Sequence, residues 1–79
     1  MSKKNKDLLI QIFSVVFDLS EEDEINNFRK LTEDRWDSLR QVSLIVAIES
    51  EFAIKIDTSE AELITSFRAA IAFLEVKGI

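Results

Sequence analysis

The chain has no proline and a single glycine, Gly78, in 79 residues. Helices can therefore run without breakers, while the tight turns of β-hairpins would lack their usual residues. The expected fold class is all-α. In the first segment Leu8, Leu9, Ile12, Phe13, Val15, Val16 and Leu19 recur at three- and four-residue intervals, the broad stripe of an amphipathic helix. The following stretch, DLSEEDEINNFRKLTEDRW, is polar and acidic. It reads as a long loop, with a short helical turn after Ser20, pinned to a core by Ile25, Phe28 and Leu31.

A second long helix is predicted from Ser38 to about Phe52. A short helix follows over roughly Glu60 to Ile64, with Ser59 and Glu62 at capping-box spacing. The last helix is predicted to start near Ser66, to carry Phe67, Ala70, Ile71 and Leu74 on one face, and to stop at Gly78. Residues 52–57 alternate as a half-buried strand would. One strand without a partner makes no sheet, so Ile54 and Ile56 are read as loop residues plugging the core. The expectation is one domain over 1–79, a bundle of three longer helices and one short third helix. Phe52, Ile54, Ala70 and Ile71 are expected to line its core.

Composition narrows the chemistry. Histidine and cysteine are absent and no glycine-rich loop is present, so base, thiol and phosphate-cradle devices are missing. An enzyme is not expected, and neither is a metal site: the acidic run Asp18, Glu21, Glu22, Asp23, Glu24 lacks the glycine and spacing of a calcium loop. Fifteen acidic against ten basic residues give a net charge of -5, which disfavours nucleic acid and favours partners with basic surfaces. No apolar run is long enough to span a bilayer, and the basic N-terminus lacks a cleavage site after it. A cytoplasmic monomer is the expectation.

One position has a chemical option. Ser38, with Gln41 three residues on, reads as a capping box, its hydroxyl satisfying a free N–H of the first turn. The helix behind it carries two apolar stripes. At about 100° per residue, Leu44, Ile45, Ile48 and Phe52 form one, while Leu39, Val42 and Val46 form another. Either the helix is buried on both sides, or the second stripe is a docking face beside Ser38. A helix N-terminus also favours a phosphoester, because its unpaired N–H groups and dipole attract negative charge.

The motif Asp37-Ser38-Leu39, followed by VSLIVAIESEF and later by AELITSFRAAIAFL, resembles the acyl carrier protein family over nearly the whole chain. The resemblance implies a four-helix bundle in which Ser38 is esterified with 4'-phosphopantetheine from coenzyme A by a phosphopantetheinyl transferase. It implies a non-catalytic shuttle for acyl groups held as thioesters, in a chain with no sulfhydryl of its own. Leu39, Val42 and Val46 would then give acyl-loading and acyl-processing enzymes an apolar footing, and Asp37, Glu49 and Glu51 would attract their basic residues. Arg40, Ser43 and Trp36 stand where fatty-acid carriers commonly have acidic or small residues. That points toward a specialised pathway, such as polyketide, peptide or surface-glycan acylation, beside fatty acid synthesis. The competing reading is a helical interaction module of the same fold, in which Ser38 is only a cap.

Overall fold

A computed structural model describes residues Met1–Ile79. It contains five α-helices and no strand: α1 (Lys3–Phe17), α2 (Glu22–Asn26), α3 (Ser38–Phe52), α4 (Thr58–Ala61) and α5 (Phe67–Val76). A 3-10 turn, Lys30–Thr32, interrupts the long connection between α2 and α3. Three helices are long and two are short, so the acidic connection holds a full short helix where the sequence suggests a turn. None is long and apolar enough to cross a membrane.

The ends of the helices follow from local chemistry. Ser2 caps α1, its hydroxyl accepting from the Asn5 N–H at 3.2 Å. At the other end Asp18 takes a left-handed conformation (φ 56°), and the Leu19 N–H reaches back to the Ser14 carbonyl at 3.0 Å. Ala53 closes α3 in the same way, with φ 54° and without the freedom of a glycine. Ser66 caps α5, accepting from the Ala69 N–H at 2.9 Å. Gly78 closes that helix as its sequence position suggests: φ is +87°, Gly78 N–H donates to Glu75 and Ile79 N–H donates to Leu74.

The capping box of α4 departs from expectation. Asp57, not Ser59, is the cap: its carboxylate accepts from the Glu60 N–H at 2.7 Å, and Glu60 accepts from the Asp57 N–H at 3.2 Å. The helix therefore starts at Thr58 and ends at Ala61, earlier than the predicted Glu60 to Ile64. Two aligned capping pairs compete in this segment. The one with a carboxylate at the cap prevails.

The core consists of sixteen buried residues, all of them apolar. From α1 it takes Leu9, Ile12, Phe13 and Phe17, while Val15, placed in the stripe by its spacing, is 83% exposed. Leu44 and Ile48 come from α3, and Phe67, Ala70, Phe73 and Leu74 from α5. Ile56 plugs the core from the loop; Phe52, Ile54 and Ile71 pack against it half-buried. In the long connection Ile25 and Phe28 are buried as expected, but Leu31 is 90% exposed and pins nothing. Backbone bonds hold that segment instead: Lys30 N–H to Thr65 O at 2.9 Å and Phe67 N–H to Phe28 O at 3.0 Å. With the chain anchored by these bonds before Leu31 and by the buried Trp36 after it, the 3-10 turn leaves the Leu31 side chain in solvent.

Helices α1 and α3 lie antiparallel. The Arg40 guanidinium at the start of α3 reaches the Val16 carbonyl at the end of α1, and Leu8 shares a groove with Ala47 and Glu51. Ser38 is thereby placed at the end of the bundle where α1 finishes.

Candidate functional site at the start of α3

The site is built on Trp36. Its indole is 3% exposed and sits among three phenylalanines. It stacks on Phe28, with ring centroids 5.6 Å apart and planes 15° from parallel; it lies 4.8 Å from Phe17 and meets Phe13 edge-on at 5.8 Å. Burying the indole obliges its N–H to find an acceptor, and the Gln41 side-chain oxygen supplies one. The amide end of Gln41 donates in turn to the Ala61 carbonyl at 2.9 Å, which ties α4 to the first turn of α3.

This anchoring decides the cap. Asp37, directly after the buried indole, holds an extended backbone (φ -97°, ψ -176°), and its carboxylate accepts from the Arg40 N–H at 2.8 Å. Asp37 is the N-cap and Ser38 is the first helical residue. The Ser38–Gln41 capping box does not form: the Gln41 side chain is spent on Trp36 and Ala61, and the Ser38 hydroxyl makes no hydrogen bond within the chain. Ser38 is exposed at the helix N-terminus. Its oxygen is free to react, in a place where negative charge is favoured.

The second stripe of α3 is open to solvent: Leu39, Val42 and Val46 are 72%, 61% and 56% exposed. The reading of α3 as a helix buried on both sides is therefore overturned. Leu44 and Ile48 on the opposite side are fully buried, and Ile45 and Phe52 are partly so. The exposed stripe runs from the residue after Ser38 for two turns.

The charged neighbours divide by task. Arg40 does not face outward with the stripe; it donates to the Val16 carbonyl at 3.0 Å. Arg35 donates to the Phe17 carbonyl at 3.3 Å, lies over the Phe28 ring, and holds Glu33 through bonds of 2.9 and 3.1 Å. That hydrogen bonding keeps the Glu33 carboxyl below the usual carboxylate range and raises the Arg35 guanidinium in step. Two arginines thus complete the carbonyl end of α1, where a positive charge is favourable. Glu49 is half-buried and accepts from the Ile56 N–H at 2.8 Å, so one of its oxygens is engaged in holding the 54–56 loop. Asp37 and Glu51 are exposed.

No protein-family model and no solved structure matches this chain.

The sequence singled out Ser38 and the exposed stripe, and the structure brings these side by side. It leaves Glu49 about three turns from Ser38, with one oxygen occupied by the Ile56 N–H. Sequence reasoning missed the roles of Trp36 and Gln41. A lone tryptophan just before a helix start, with an amide side chain one turn inside, was the available signal. The most apolar groove, about 530 Å³, lies between α4 and α5 and is lined by Leu63, Ala69, Ala72, Phe73 and Val76, with the paired Glu60 and Lys77.

Proposed function

We propose that this protein is an acyl carrier of the phosphopantetheine-dependent type, with Ser38 as the attachment site, built on a carrier-like bundle and working in the cytoplasm as a monomer. The observation that carries this reading is the free, exposed hydroxyl of Ser38 at the helix N-terminus, next to an unpartnered apolar stripe. A serine kept only as a cap would be bonded to its own backbone. This one leaves the capping to Asp37.

The residues present suit a phosphodiester on Ser38. The oxygen is accessible, the helix dipole favours the added charge, and the nearest carboxylate, Asp37, is engaged by the Arg40 N–H. In the modification the Ser38 oxygen bonds to the phosphorus of the pantetheine half of coenzyme A. The bond from that phosphorus to the nucleotide half breaks, and the hydroxyl proton passes to a base of the transferase. When attached, the group supplies the thiol on which acyl cargo is held. The chain itself contributes position. Leu39, Val42 and Val46 offer a footing to partner enzymes, and the acidic surface draws their basic residues. Arg40, turned away to α1, leaves the stripe apolar and uncharged, which favours partners of a specialised pathway over those selecting an acidic second helix.

Incubation with coenzyme A, magnesium and a broad-specificity phosphopantetheinyl transferase is expected to add one phosphopantetheine mass, read by intact mass spectrometry. Ser38→Ala should abolish the addition while the fold persists. A wild-type chain that stays unmodified with several transferases would reject the proposal in favour of an interaction module using the same stripe.

A further inference from the structure

A second polar site lies away from Ser38, where the connection after α2 meets the start of α5. Asn26, Asn27, Phe28, Arg29, Ser66 and Arg68 line a recess of about 250 Å³. Its walls are held by the backbone: Arg29 and Ser66 form an isolated antiparallel bridge, and the Phe67 N–H donates to the Phe28 carbonyl at 3.0 Å. The recess is a fixed feature of the fold.

Its charge is of one sign. Arg35 and Lys77 are the two of the ten basic side chains that pair with a carboxylate; Arg29 and Arg68 pair with none, and no carboxylate lines the recess. Arg68 makes only two long bonds to neutral acceptors, 3.3 Å to the Asn26 carbonyl and 3.4 Å to the Asn27 side-chain oxygen. Arg29 makes no side-chain bond. The N–H of Arg68, in the first turn of α5, has no acceptor either, since Ser66 accepts from Ala69 instead.

We infer that this recess binds a phosphate group, free or as a small monoester, between the Arg29 and Arg68 guanidinium groups at the start of α5. Two guanidinium forks at the recess and the unpaired Arg68 N–H in the first turn of α5 are the donors available. That arrangement suits the three terminal oxygens of a tetrahedral phosphate better than the two of a planar carboxylate. The inference does not depend on the reading of Ser38.

The test is an NMR titration of the full chain, labelled with nitrogen-15, at constant ionic strength set with sodium chloride. Inorganic phosphate is expected to shift the Arg68 and Ala69 amides and the side-chain Nε–H signals of Arg29 and Arg68, saturating in the millimolar range. Arg29→Gln and Arg68→Gln should each weaken binding by about fivefold or more, Arg68→Lys by less, and Ser38→Ala not at all. Glycerol 2-phosphate forms a second arm: tighter binding than inorganic phosphate assigns the site to esters, and weaker binding assigns it to the free ion. Acetate binding as tightly as phosphate, shifts spread over Lys3, Lys4 and Lys6, or a response that chloride alone reproduces would overturn the inference. Because both arginines are exposed, the variants should keep the wild-type spectrum outside the recess.

Discussion

The Arg40 guanidinium, on the first turn of α3, donates to the Val16 carbonyl at the last turn of α1, 3.0 Å away. The contact joins residues 24 apart in sequence and puts a positive charge where the α1 dipole is negative. Arg40→Met should lower stability by about 0.5–1.5 kcal/mol in urea denaturation. Arg40→Glu should cost more, because it sets a like charge against that helix end. If the arginine instead served the outward face of α3, both variants would leave the denaturation midpoint unchanged.

Asp37 and Ser38 should respond in opposite ways to truncation. Asp37→Ala removes the cap of α3 and should cost about 1 kcal/mol, within the usual range for such losses. Ser38→Ala removes a hydroxyl with no partner in the chain and should stay within about 0.5 kcal/mol of wild type. Thermal denaturation of the two unmodified variants side by side checks this ordering. The reverse order would restore Ser38 as the cap.

How far the sequence could be read differs by element. The span of α3 was legible to the residue, since its apolar period runs unbroken from Leu39 to Phe52 and Ser38 stands at its head. Which residue caps it was not. Asp37 and Ser38 are both good caps, and the choice falls to Trp36, whose burial against Phe13, Phe17 and Phe28 is settled by distant packing. The same limit applies to Asp57 over Ser59. Leu31 failed as a core residue because a single apolar side chain in a polar loop has no period to place it. Val15 failed because its position at the edge of the α1 stripe leaves its side to be decided by how neighbouring helices approach. The stripe beside Ser38 was visible in the spacing, but its exposure depends on nothing packing there, which only the assembled fold reveals.

The two faces of α3 should separate stability from recognition. Val46 is 56% exposed, and Val46→Ser is expected to change stability by less than about 0.5 kcal/mol. Leu44 is fully buried, and Leu44→Ala should cost about 2–5 kcal/mol through the cavity it leaves. If the stripe is a docking face, Val46→Ser in the modified protein should raise the KM of an acyl-loading enzyme and leave its kcat nearly unchanged. Equal KM values for wild type and variant would remove Val46 from that face.

Ala53 closes α3 at φ 54°, a region that disfavours every side chain with a Cβ. Ala53→Gly should relieve this and raise stability by about 0.5–1 kcal/mol, net of the entropy that glycine adds to the unfolded chain. Ala53→Val should lower it, because a β-branched side chain is still less tolerant there. A glycine variant less stable than wild type would argue against a left-handed closure.

Glu60 links two helices through one carboxylate: it accepts from the Asp57 N–H that opens α4 and pairs with Lys77 at the end of α5. The hydrogen bond from Lys77, then the one from the Asp57 backbone, hold its carboxyl below the usual carboxylate range. A depressed folded-state value means that the folded form favours the charged carboxylate. The stabilisation is therefore fully present above the ordinary carboxylate value and is lost as the pH falls through the lowered one. Glu60→Gln keeps an acceptor for the Asp57 N–H and removes the charge, so the variant should be less stable than wild type at neutral pH, with the gap closing toward pH values below the carboxylate range. Chemical denaturation across that range measures the difference directly. A gap of constant size would show that the charge on Glu60 contributes nothing and that its hydrogen bonding to the α4 backbone accounts for the whole effect.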